Sequence, residues 1–288
     1  MIDLIIRPRE HDIGGLIVRR VLPFRERRSV GPFVFFDHFG PAVFPAGEGL
    51  DVRPHPHIGL ATITYLYDGV IQHRDSLGND QPIRPGEVNW MTAGRGIVHS
   101  ERTPEDERAR DSGIFGLQAW AALPVAEAEA EPSFVHFPAS DLPEWAADGF
   151  RIRLIAGKLL GHESPVKTFS ELFYADLRLA PGGSFVLPPD HAERAVHNAE
   201  GRVTVGGETL TQGEMAVLRP GSDTPLEADP GGEAKVILLG GAALDGARTI
   251  WWNFVSHSAE RIQQAKDDWK NGRFAPVPGD AEFIPLPD

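Results

Sequence analysis

Cysteine is absent from the 288 residues, which excludes a disulfide framework, iron–sulfur clusters and thiolate zinc sites. Any metal site must therefore be built from nitrogen and oxygen donors. Basic residues are in deficit, with 28 Lys and Arg against 41 Asp and Glu and a formal net charge of −13. Such a chain repels nucleic acid and anionic membrane surfaces unless a local patch dominates, so direct nucleic-acid binding is not expected. Long apolar runs are missing as well. None approaches the ~20 residues needed to span a bilayer. The N-terminal Met1-Ile2-Asp3-Leu4-Ile5-Ile6-Arg7-Pro8 has no basic stretch followed by an apolar one, as an export signal would. A cytoplasmic protein with no membrane segment is the expectation.

The residues that are plentiful point to β structure. Gly 31 and Pro 25 make up about a fifth of the chain, well above average usage, and predict frequent turns between short strands. A hydrophobic content of 41% supports a substantial core, and the length suits two ordinary domains or one large β domain.

Two pairs of candidate metal ligands stand out. His55 and His57, then His99 and Glu101, each have i, i+2 spacing within segments that read as strand. A strand points residues i and i+2 to one face, so each pair offers two donor atoms in one direction. Two such strands facing each other would make a pocket of three imidazoles and one carboxylate. That donor set suits a divalent first-row ion such as Fe, Mn, Ni, Cu or Zn. The first pair opens the run Ala61-Thr62-Ile63-Thr64-Tyr65-Leu66-Tyr67, rich in β-branched and aromatic residues and ended by the turn signal Asp68-Gly69. The second follows the turn Pro85-Gly86-Glu87, the segment Val88-Asn89-Trp90-Met91 and the glycine-broken Ala93-Gly94-Arg95-Gly96. Pro56 cannot donate to a sheet ladder and belongs at a strand edge or start. The competing view, that these are ordinary surface polar residues, does not explain two convergent pairs.

With these residues assembled, His55-Pro56-His57, Pro85-Gly86-Glu87 and Trp90-Met91-Thr92-Ala93-Gly94-Arg95-Gly96-Ile97-Val98-His99-Ser100-Glu101 resemble the signature of pirins, members of the cupin superfamily. Phe33-Val34-Phe35-Phe36-Asp37-His38-Phe39 and the tail Trp251-Trp252-Asn253-Phe254-Val255-Ser256 add to the likeness, which is strong to about Trp120 and weaker beyond Pro124. The resemblance implies an all-β bicupin, two jelly-roll β-barrels with a short C-terminal helix. It also implies one divalent metal ion, Fe(II) first, on His55, His57, His99 and Glu101. Many cupins place a ligating glutamate shortly after the second histidine; here Leu60, Ala61 and Thr62 stand there, so Glu101 supplies the carboxylate, as in pirins. The implied activity is that of a quercetin 2,3-dioxygenase, which opens a flavonol with O2 and releases carbon monoxide, with Glu101 as ligand and candidate base. The alternative is a metal-binding, redox-sensing regulator that acts through a protein partner without turnover.

The chain divides on paper into an N-terminal metal-binding barrel (1–125), a linker and connecting segment (126–168), a C-terminal barrel without a metal site (169–246) and a tail with a helix (247–288). Alternation in Leu172-Phe173-Tyr174-Ala175-Asp176-Leu177-Arg178-Leu179 and turns such as Pro181-Gly182-Gly183 carry the second barrel. Its histidines, in Asp190-His191-Ala192-Glu193-Arg194 and at His197, form no complete ligand set. Ala126-Glu127-Ala128-Glu129-Ala130-Glu131-Pro132 reads as a solvated acidic linker. Ser258 is a helix cap, Ile262, Ala265 and Trp269 one helix face, and Gly272 the stop. Four further features await the fold. His73 is either a pocket residue or a plain strand residue, and His38 either orients a ligand or is structural. Arg19, Arg20, Arg25, Arg27 and Arg28 meet an acidic partner or form a solvated face. Trp90-Met91 and Trp251-Trp252 stack substrate or, the safer expectation, pack the core.

Overall fold

The computed structural model describes residues 1–13 and 16–287. Strands dominate, and the α-helices among the described residues are a single turn at Glu105–Arg108 and the C-terminal Ala259–Lys270. Among the described residues no helix is long and apolar enough to cross a membrane. The all-β expectation of two jelly-roll barrels with a short C-terminal helix holds.

The chain folds into two compact units that are discontinuous in sequence. One comprises Met1–Glu10, Arg19–His38 and Ser140–Ala243; the other comprises His11–Val18, Phe39–Ala139 and Leu244–Asp288. The units are discontinuous because sheet pairing ignores chain order. Ile2–Ile6 pairs antiparallel with Met215–Leu218, which takes the first strand into the unit built mainly from the second half.

In that unit Met215–Leu218, Glu193–Glu200, Ala234–Gly241, Leu172–Leu179 and Phe150–Leu159 lie side by side in one sheet, and Ser184–Leu187, Thr224–Ala228, Val203–Val205 and Glu208–Leu210 form a second. Alternate residues face inward, as strand geometry requires. Leu177 and Leu179, Val236 and Leu238 from the first sheet join Phe185, Leu187, Val203, Val205 and Leu226 from the second in one buried cluster.

The other unit holds a four-stranded sheet in the order Asp51–His57, Ile97–Arg102, Ile71–Asp75 and Asp80–Ile83. Ser133–Phe137, Val88–Thr92, Leu60–Asp68 and Ser112–Ala122 run consecutively in a second sheet. Leu50, Leu66, Ile71, Ile83 and Ile114 fill the space as a core cluster. The C-terminal helix starts as expected, with the Ser258 side chain accepting from the Arg261 N–H. It ends in a Schellman motif: Gly272 has φ +64°, its N–H bonds Trp269 O, and the Arg273 N–H bonds Asp268 O. Ile262 and Ala265 pack with Ile58 and Phe254, flanked by Trp251, Trp252 and Trp269, so the tail tryptophans are packing residues.

The acidic stretch after Pro124 exposes Glu127, Glu129 and Glu131 but is also anchored to the unit. Ala128 is buried, Arg95 N–H donates to Ala130 O, Glu129 pairs with Arg261 and Glu131 with Arg95. Alternating small and acidic residues let one face bury while the other meets arginines. In the basic N-terminal cluster Arg20 grips Asp37 through two 2.7 Å bonds and Arg27 lies 3.8 Å from Glu193, while Arg25 and Arg28 are exposed, as on a solvated face.

Gly59 connects the first ligand strand to the next one. Its φ is +69°, and a Cβ there would overlap the carbonyl oxygen of Val255. Gly59→Ala is expected to destabilise the fold by about 2–4 kcal/mol, read as a lower urea midpoint at unchanged slope.

Candidate metal centre

Three neighbouring strands each contribute an i, i+2 pair to one face. His99 stands opposite His55 on one side and opposite Asp75 on the other, while Glu101 stands opposite His73. Directly opposed residues share a face, so His55 and His57, His99 and Glu101, and His73 and Asp75 all point inward. A β-bulge between His99 and Glu101 shifts Glu101 opposite Val52. The extra residue lies on the Asp51–His57 strand, where Pro54 and Pro56 cannot serve a regular ladder.

His55, His57 and His99 are buried, and one nitrogen from each lies within 4.8 Å of the others. Two of the rings are oriented by backbone carbonyls: His55 Nδ1 donates to Arg53 O at 2.9 Å, and His57 Nδ1 to Asn253 O at 3.1 Å. With Nδ1 carrying the proton, Nε2 presents a lone pair, the form in which imidazole binds metal. His57 Nε2 and His99 Nε2 are 3.1 Å apart. Two nitrogen ligands at ~2.1 Å from one ion stand about 3.0–3.4 Å apart for angles between a right angle and the tetrahedral value. The trio therefore fits a divalent metal.

Electrostatics agree. Burial brings His55 from 6.5 to about 4, against the opposing pull of its backbone bond to Arg53. Burial also holds His57 and His99 well below the usual histidine range, helped by the neighbouring rings. All three are neutral at pH 7 and free to ligate.

Glu101 is on the same face but is not one of the three converging donors. Its Oε1 receives Thr64 Oγ1 at 3.3 Å and Gln118 Nε2 at 3.4 Å. Burial raises its pKa against the opposing pull of His73 and these two donors.

His73 joins this polar face: its Nδ1 is 3.4 Å from His99 Nδ1 and its Nε2 3.0 Å from Asp75 Oδ2. Phe134 stacks on its ring at 4.3 Å. Burial alone would raise the Asp75 carboxyl, but the bonds from His73 and Asn79 outweigh it and keep the group below its usual value. Sequence reading missed Thr64, Gln118 and Asp75. A signal for Asp75 was present, since His73-x-Asp75 repeats the spacing of the two ligand pairs, and Gln118 is the one strongly polar residue in Phe115-Gly116-Leu117-Gln118-Ala119-Trp120.

His38 Nδ1 meets His197 Nε2 at 3.2 Å. In the same unit His191 Nδ1 meets Glu171 and its Nε2 meets Lys158 O, and Glu193 accepts from the Gly31 N–H. Among the described residues, no second group of three donors gathers.

The family model for Pirin matches residues 15–121, and that for the Pirin C-terminal cupin domain matches 174–275. A pirin-like protein of Caulobacter vibrioides is 49% identical over 100% of both chains. The chain belongs to the pirin family. Human pirin is 31% identical, over 94% of this chain and 93% of its own. The solved structure of a quercetin 2,3-dioxygenase from Acinetobacter baumannii superposes with a TM-score of 0.92 at 35% identity, covering 99% of this chain and 95% of that one. The bicupin architecture of this pirin is thus shared across its full length.

The three depressed histidines set a pH dependence for the metal-free protein. Unfolding releases them from burial, so between His55's ordinary 6.5 and its folded value of about 4 the unfolded chain binds protons that the folded one refuses. Stability is complete above that window and falls as pH drops through it. Thermal midpoints of chelator-treated protein should decline from pH 7 to pH 4.5, and less steeply for His55→Gln. A flat profile would refute neutral, buried rings.

Proposed function

We propose that this pirin is a metal-dependent dioxygenase that opens flavonols such as quercetin with O2 and releases carbon monoxide. The observation that carries the reading is a centre of three neutral imidazoles inside a fold that a quercetin 2,3-dioxygenase matches over 99% of the chain. His55, His57 and His99 would hold one divalent ion, Fe(II) first by family likeness, with Glu101 as fourth ligand. Nothing in the donor set excludes Mn, Ni, Cu or Zn. When bound, the ion supplies Lewis-acid activation of the substrate hydroxyl and a path for electrons to O2.

The remaining work falls to the chain. Glu101 takes the proton of the flavonol 3-hydroxyl. Thr64 and Gln118 hold its Oε1, leaving Oε2 for that proton. Burial, which raises its pKa, makes it a stronger base than a free carboxylate. The Arg53 and Asn253 carbonyls fix the rings of His55 and His57 by holding their Nδ1 protons. Trp120, 5.1 Å from the His57 ring, and Phe134 against His73 give this face apolar walls.

A second reading has its own observation. His57 and His99 are each 1% exposed, and a cleft of about 820 Å³ in the same unit is lined by other residues, including Ser76, Arg95, His257, Arg261 and Phe274. A closed centre in the same unit as an open polar cleft favours a metal-sensing regulator that acts through a protein partner.

Anaerobic reconstitution with each ion, then aerobic assay of quercetin loss with carbon monoxide detection, decides between them. The dioxygenase reading expects metal-dependent carbon monoxide release, and a kcat about 100-fold lower for Glu101→Gln. Tight metal binding without turnover would transfer the function to the regulatory reading.

A further inference from the structure

We infer that His73 and Asp75 are positioning residues that set the tautomer of His99, and so its ability to bind metal, through the chain Asp75–His73–His99. This rests on the reading of His55, His57 and His99 as metal ligands. The two other histidines of that trio have Nδ1 fixed by carbonyls, Arg53 O and Asn253 O. Among the described residues no carbonyl meets the His99 ring; its Nδ1 faces another imidazole nitrogen, His73 Nδ1 at 3.4 Å. A ring nitrogen can donate or accept, so this contact alone leaves the His99 proton unassigned.

Asp75 resolves it. Its Oδ1 accepts from the N–H groups of Leu77 and Asn79, and both oxygens accept from Asn79 Nδ2. A carboxylate only accepts, so His73 Nε2, 3.0 Å from Oδ2, donates. A neutral His73 protonated on Nε2 has a bare Nδ1 that accepts. His99 Nδ1 must then donate, which strips Nε2 of its proton and leaves the lone pair facing His57 Nε2 at 3.1 Å. The hairpin turn at Asp75–Asn79 thereby fixes, through two rings, the donor state of a nitrogen it does not touch. Phe134, stacked at 4.3 Å and 14°, holds the His73 plane.

Substituting the amide tests the direction of the chain. In Asp75→Asn, Oδ1 still receives the two backbone donors, while an NH2 replaces the oxygen that faces His73. His73 must now accept at Nε2 and carry its proton on Nδ1, which drives the His99 proton to Nε2. In His73→Asn, the amide oxygen occupies the place of ring Nδ1 and accepts from His99 without help from Asp75. His73→Phe offers no acceptor and leaves the Asp75 turn in place.

The measurement is Co(II) affinity of the chelator-treated full chain by competition with a chromophoric chelator, with the visible Co(II) spectrum and the metal-free thermal midpoint as controls. Asp75→Asn and His73→Phe should bind Co(II) 10–100-fold more weakly than wild type, the range for loss of an outer partner of a metal-bound histidine. The midpoint should stay near wild type. His73→Asn, alone or combined with Asp75→Asn, should recover most of the affinity. Wild-type affinity and an unchanged spectrum in Asp75→Asn, or equal losses in His73→Phe and His73→Asn, would overturn the inference. Absence of Co(II) binding by wild type would instead overturn the metal-centre reading beneath it.

Discussion

The register between three strands governs this protein's chemistry. Asp51–His57, Ile97–Arg102 and Ile71–Asp75 each carry a two-residue polar pair, and the pairs meet only because His99 lies opposite both His55 and Asp75. A slip of one residue in any strand would turn its pair to the opposite face. The register is pinned from several sides. The bulge accommodates the proline-bearing strand, and Asp75 closes the hairpin to Asn79. Gly59, whose N–H bonds Gly94 O and whose carbonyl accepts from Leu123, fixes the exit of the first ligand strand.

Gathering six ionisable side chains on one buried face carries a desolvation cost that hydrogen bonds must offset. Most of the offset here is local. Carbonyls from the bulged strand and from the tail hairpin take two imidazole protons, Asp75 takes a third, and Thr64 and Gln118 donate to Glu101. What this arrangement leaves unmatched is the meeting of lone pairs between His57 and His99. A cation is the natural complement to that repulsion, and the absence of thiolates confines it to an imidazole and carboxylate environment.

The two units show how one fold is filled in two ways. In the unit of the second half the interior is aliphatic and aromatic, from Ile152 and Leu154 through Phe185 to Leu238. Its buried His197 meets His38 and Phe36 rather than a ring of donors. In the other unit the same kind of sheet exchanges part of its inward-facing hydrophobic set for imidazole and carboxylate. Strand alternation tolerates either choice, since it specifies which residues face inward and not what they are.

Much of this was legible in the chain itself. Composition set the β class and the nitrogen and oxygen chemistry, i, i+2 spacing marked His55, His57 and His99 as candidates, and Ser258 and Gly272 marked both ends of the C-terminal helix. Those are local properties, fixed by residues within a few positions of each other. Only the tertiary structure decided the rest. Thr64 and Gln118 reach Glu101 from strands far away in sequence. Asn253 orients His57 from the tail, and the acidic stretch docks because Arg95 and Arg261 happen to face it. Asp75 acts on His99 because Ile97–Arg102 pairs with Ile71–Asp75 in one particular register. Each of these depends on which strands become neighbours, and neighbour choice is settled by long-range pairing and core packing that no short window of sequence contains.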